Sequence, residues 1–161
     1  MYTPAITGTG VFTPSETITN AELVTAFNAY ADLYNAEHAD GIAAGTVEAK
    51  DHSSEDFIFK ASGIEQRYVM VKDGILDPTV MYPKMRQRSD DEPSIMAEMA
   101  IKAAHIALDN AGKTAADVGA VICAASNLER AYPAVAIEIQ DLLGIQGFAF
   151  DMNVACSSAT F

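Results

Sequence analysis

Apolar residues along the chain fall into two patterns. Short unbroken runs at 4–12 (PAITGTGVF), 117–125 (DVGAVICAA) and 147–155 (GFAFDMNVA) predict buried strands, the 117–125 strand covered on both faces as in a parallel sheet. Between them, apolar positions recur at helical spacing. Leu23, Val24 and Phe27 follow Thr19-Asn20, with Asn20 the expected N-cap. Ile95, Met99, Ala103, Ile106 and Ala107 follow Pro93-Ser94, with Ser94 as cap and Asn110 and Gly112 closing the helix. Pro133 suits the first turn of a third helix that runs to Leu143 and stops at Gly144. Residues 57–71 combine a short apolar cluster, a glycine turn and a second β-like run. Strand, helix, strand, helix, strand in this order predicts an α/β fold, a mostly parallel sheet with flanking helices.

Two stretches break the pattern. From Tyr30 to Glu55 the chain is Ala-rich and acidic, and Gly41 and Gly45 are expected to interrupt any helix. It reads as a solvated excursion or as a lid or interface segment. Residues 72–92 form a loop rich in proline and charge.

Composition sharpens the picture. The 161 residues are 50% hydrophobic and 20% charged, enough apolar surface for a core and too much for a disordered tail. The net charge of −12 argues against nucleic acid and anionic membrane as partners, because phosphates would be repelled. Residues 60–88 run against that balance, with six bases and three acids. This basic island either docks an anionic partner or is ordinary surface salt bridging. Two cysteines make no disulfide framework, which suggests a reducing, cytoplasmic setting. The first residues lack a basic segment followed by an apolar run, so no signal peptide is expected, and no stretch approaches the ~20 apolar residues of a membrane span.

Few residues carry candidate chemistry. Gly8 and Gly10 invite a dinucleotide-loop reading, but the third glycine would stand at Thr13. His105 has no Cys, His or carboxylate at metal spacing and reads as structural; no metal or cofactor is implied. Cys123 lies inside a strand and reads as a small buried hydrophobe. Cys156 differs, for it follows a predicted strand and precedes Ser157, Ser158 and Ala159. Chemistry gathers at the carboxyl ends of strands in open α/β sheets. A thiol there, at the start of a helix, would be favoured as thiolate. Spacing alone leaves Cys156 open between a nucleophile and a structural cysteine.

The stretch AFDMNVACSSATF from Ala149 resembles the active-site segment of β-ketoacyl-acyl carrier protein synthase III and its thiolase-fold relatives. Three further blocks resemble the same family in order: ITGTGVFTPSETITNAEL, KASGIEQRYV and YPAVAIEIQDLLGI. The resemblance implies that 1–161 is the N-terminal half of a thiolase-like condensing enzyme, with surface insertions near 30–55 and 72–92. It implies an acyltransferase of fatty-acid or related biosynthesis, in which Cys156 takes an acyl group and a malonyl-carrier protein is condensed onto it with loss of carbon dioxide. Tyr132 matches an aromatic position that lines the acyl pocket across a homodimer interface. Phe57 matches the tryptophan that stacks on the adenine of coenzyme A, and Ala61 stands where the family has arginine. These departures point away from acetyl-CoA as primer and towards a longer acyl group, carried by coenzyme A or by a carrier protein. The family's catalytic histidine and asparagine come from its C-terminal half. His38, His52 and His105 match neither motif, so the fragment alone is expected to be inactive. Related readings with the same cysteine are an HMG-CoA synthase-like enzyme or a head-to-head acyl condensing enzyme. A reading from a different class is a non-catalytic assembly subunit.

Overall fold

A computed structural model describes residues 3–160, which form two compact units, one of residues Thr13–Arg86 and one of residues up to Phe12 together with Gln87 onward. The Thr13–Arg86 unit is built on a two-stranded antiparallel ladder. β1 (Glu16–Thr19) pairs with β2 (Gln66–Val69), Glu16 opposite Val69 and Thr19 opposite Gln66. β1 leads straight into α1 (Asn20–Glu37). The cap is Thr19 rather than Asn20: its hydroxyl accepts from the Glu22 amide at 3.2 Å, and Glu22 accepts from the Thr19 amide at 2.9 Å. Asn20 is buried as the first helical residue. It donates to the Ile64 carbonyl at 2.7 Å and accepts from Arg67 at 2.8 Å, fastening the helix start to the approach of β2.

α1 runs to Glu37, well into the stretch read as irregular. What the sequence pattern hides is a polar clamp. Asn28 and Asn35, seven residues apart, share a helix face. Asn28 donates to the Ser53 carbonyl (3.1 Å) and accepts from its amide (2.8 Å); Asn35 does the same for Lys50 (2.9 and 2.8 Å). The Lys50 ammonium lies 4.5 Å from the Tyr34 ring centre. The returning chain is therefore tied to α1 by hydrogen bonds and a cation–π contact, without large apolar side chains. Gly41 lies inside a short helix, α2 (Ala39–Ala43), and only Gly45, at φ 70°, ends it. α3 (Glu55–Ser62) is capped by Ser54 and closed by Gly63 in the left-handed region. Most of the basic island is spoken for. Lys60 pairs with Asp56 (2.6 Å), Lys72 with Glu22 (2.5 Å) and Arg88 with Glu98 (2.6 Å), and Arg67 bonds Asn20. This favours ordinary surface pairing over a free cationic face.

The second unit holds α4 (Ile95–Ala111), β3 (Ala120–Ala124), α5 (Val135–Leu143) and β4 (Phe148–Met152). Ser94 caps α4 and Gly112 closes it, as the spacing predicts. β3 and β4 are parallel, Ala120 opposite Phe148 and Ala124 opposite Met152, with α5 as the connection. One face of this ladder packs on the helices, where Val121 and Cys123 meet the core of Ala97, Val135 and Ile139. The other face leaves Ile122, Phe148 and Phe150 exposed, so β3 is not covered on both faces; a two-stranded sheet has helices on one side only here.

Residues 4–12 form no strand, a further departure from expectation. Ile6 and Val11 are exposed, and the backbone lies on α4 instead. A Cβ at Gly10 would stand 2.0 Å from the Ala103 carbonyl oxygen, and one at Gly8 2.3 Å from that of Ala107. These glycines serve close approach to a helix, not a phosphate loop.

Candidate active site

β4 ends at Met152, and the next six residues fold into a tight turn that presents Cys156 to solvent. Side chains hold this turn from both ends. Asn153 donates to the Ser126 carbonyl, beyond β3, and accepts from the Ala155 amide, both at 3.1 Å. The Ser158 hydroxyl accepts from the Val154 amide at 2.9 Å and donates to the Ala155 carbonyl at 2.8 Å. Ala155 itself is left-handed, at φ 50°. A side chain there costs about 1–2 kcal/mol, which these bonds offset. Among the described residues after Cys156, Ser158–Thr160 form a 3₁₀ turn. Exposure and a built turn single out this thiol among the described residues.

Cys123 makes the contrast. It is half-buried on β3 opposite Asp151, and burial, with the Asp151 charge added, raises its thiol above the ordinary range.

Asp151 has a second task. Its two carboxylate oxygens accept from the amides of Val135 (2.9 Å) and Ala136 (2.8 Å) at the start of α5. Pro133 therefore does not sit in the helix's first turn. It precedes the helix, after a cis Tyr132–Pro133 bond, and the cap comes from a strand residue distant in sequence. The start of α5, just after the loop carrying Tyr132, is thus tied to the strand that leads to Cys156. Tyr132 is 92% exposed. Phe57 is exposed in the first turn of α3, in the other unit. A further buried group lies behind the loop: Glu138 of α5 accepts from the Ser94 hydroxyl and pairs with Arg130 at 2.9 Å.

Asp151, Asn153 and Ser158 were not singled out by sequence reasoning. The available signal was Asp151, a carboxylate inside an apolar strand, which has to find partners there. The histidines lie apart from this turn in their bonding. His38 stacks on Tyr34 and His52 pairs with Asp32, while His105 is exposed on α4.

No protein-family model matches the chain. Curated proteins do. The chain is 58% identical over 135 residues to a β-ketodecanoyl-[acyl-carrier-protein] synthase of Pseudomonas aeruginosa, covering 84% of this chain and 39% of that protein. It is 32% identical over 157 residues to the β-ketoacyl-[acyl-carrier-protein] synthase III of Granulibacter bethesdensis, covering 97% and 35%. The chain belongs to the β-ketoacyl-[acyl-carrier-protein] synthase III family.

Its fold is the family's α/β, thiolase-like fold. The crystal structure of the synthase III from Aquifex aeolicus matches with a TM-score of 0.62 at 21% identity, over 95% of this chain and 35% of that one. The chain thus spans little more than a third of the length of the synthases it matches. Among the described residues, no helix is long and apolar enough to cross a membrane.

Proposed function

We propose that this chain carries the nucleophile of an acyl-thioester condensing enzyme of the synthase III type, and that Cys156 is that nucleophile. The single observation behind this reading is the exposed thiol at the carboxyl end of β4, on a turn fixed by Asn153 and Ser158. Its Sγ attacks the carbonyl of an acyl thioester. A new carbon–sulfur bond forms, the old one breaks, and the departing thiol takes the proton that Cys156 gives up. Decarboxylation of a malonyl-carrier protein then yields a carbanion that attacks the acyl-enzyme and releases Cys156. Dividing the condensation at a covalent intermediate makes two easier steps of one hard one. The Cys156 amide contributes to the oxyanion hole.

The primer is a medium-chain acyl group. The Pseudomonas aeruginosa relative is named for a ten-carbon β-keto product, which two-carbon extension reaches from an eight-carbon primer. Phe57 and Ala61, in place of the family's tryptophan and arginine, fit a primer other than acetyl-CoA.

The remaining parts come from beyond these 161 residues: the histidine and asparagine that assist decarboxylation, and the cover for Ile122, Phe148 and Phe150, an apolar face that water disfavours. The 30–55 and 72–92 stretches are insertions relative to compact members, and Tyr132 lines an acyl pocket completed by a second copy. The test is product analysis of the full-length protein that carries this chain, given malonyl-carrier protein and acyl-CoA primers from acetyl to dodecanoyl. β-Ketodecanoyl-carrier protein as the main product supports the assignment; acetoacetyl-carrier protein as the main product refutes the medium-chain preference.

A further inference from the structure

We propose that Ser158 is a positioning residue, which sets the attack geometry of Cys156 by fixing the backbone just ahead of it. The proposal rests on the assignment of Cys156 as nucleophile. Ser158 is only 4% exposed, so its hydroxyl is shielded from solvent. It bridges two consecutive residues, accepting from the Val154 amide and donating to the Ala155 carbonyl. The Ser158 amide also reaches the Ala155 carbonyl, at 3.2 Å. One side chain thereby ties the Asn153–Val154 peptide to the Ala155–Cys156 peptide, across the left-handed Ala155. Without the hydroxyl, the Val154 amide loses its partner and the Ala155 carbonyl keeps only the Ser158 amide, so Ala155 is held less firmly against rotation to negative φ. That rotation swings the peptide joining Ala155 to Cys156, and with it the thiol and the amide offered to a thioester oxygen. Nothing in the arrangement alters the chemistry of the sulfur itself. Ser158 therefore acts on orientation, which acyl transfer requires strictly and attack on a small alkyl halide does not.

The experiment compares the purified wild-type protein with Ser158→Ala and Ser158→Thr, using three readouts. These are hydrogen exchange at the Val154 amide, the rate at which octanoyl-CoA acylates Cys156, and the rate of alkylation by iodoacetamide. In Ser158→Ala, Val154 exchange rises and acylation falls, each by about tenfold or more, since misplacing an attacking atom by ~1 Å costs ~10²-fold. Alkylation changes much less, and Ser158→Thr, which keeps the hydroxyl, restores acylation. Wild-type acylation in Ser158→Ala overturns the positioning role, as does Val154 exchange that does not change. A wild-type protein that octanoyl-CoA leaves unmodified at Cys156 overturns the nucleophile assignment instead. In that case Val154 exchange still reports separately whether Ser158 holds the turn.

Discussion

The Asp151 carboxylate on β4 accepts a 2.9 Å hydrogen bond from the Val135 amide at the start of α5, so the strand that leads to Cys156 also caps the helix behind it. A second bond, from Ala136 at 2.8 Å, completes the cap. Asp151→Ala leaves the amides of two buried residues unpaired and is expected to cost about 1–2 kcal/mol. Asp151→Asn keeps one acceptor and costs less. Urea unfolding of the three proteins checks the order.

The two cysteines should separate by reactivity. Burial and the Asp151 charge hold the Cys123 thiol above the ordinary range, so little thiolate forms near neutral pH. Iodoacetamide at pH 8 is expected to modify Cys156 well before Cys123. Asp151→Asn removes the adjacent charge and speeds alkylation of Cys123. Peptide mapping after timed quenching follows both sites, and equal rates at the two cysteines would contradict this.

Glu22 gives the Thr13–Arg86 unit a pH dependence of definite sign. The hydrogen bond from Lys72, then those from Thr19, lower its carboxyl from 4.5 to about 2. A depressed folded-state value means that the contribution is fully present above about pH 4.5 and is lost as pH falls towards 2. Amide exchange in β1 and the first turn of α1 should therefore quicken on acidification through that window. Glu22→Gln should flatten the response, and added salt should shrink it, because the pair is exposed.

The asparagine clamp predicts local rather than global damage. Asn35→Ala removes two hydrogen bonds to Lys50 and is expected to cost about 1–3 kcal/mol. Limited proteolysis should then cut first between Ala44 and Ser54. Asn28→Ala, which frees Ser53, should act in the same way.

How readily each element could be foreseen followed the range of the forces that build it. α4 was plain because its signals are local: Ser94 caps it, alanines and branched residues line one face, and Gly112 stops it. Gly144 stops α5 for the same reason, in the left-handed region, whereas α3 ahead of Gly63 read only as an apolar cluster and a glycine turn. β3 and β4 stood out as apolar runs, yet their one-sided burial could not be read, because burial depends on what packs there. The length of α1 was hidden since its support is polar and comes from residues 50–53. The start of α5 was misplaced onto Pro133 because its cap, Asp151, is remote in sequence. The 4–12 run has strand composition, but its glycines set it against α4. At the site, strand-end logic and family resemblance pointed to Cys156. The bonds from Asn153 and Ser158 that hold its turn needed coordinates.

Intact-mass analysis with peptide mapping, after incubation with octanoyl-CoA, tests the role of Cys156 most directly. The account predicts one octanoyl group per chain, on the peptide containing Cys156, and none in Cys156→Ala. An octanoyl group that persists in Cys156→Ala, or a wild-type protein that stays unmodified, would contradict it.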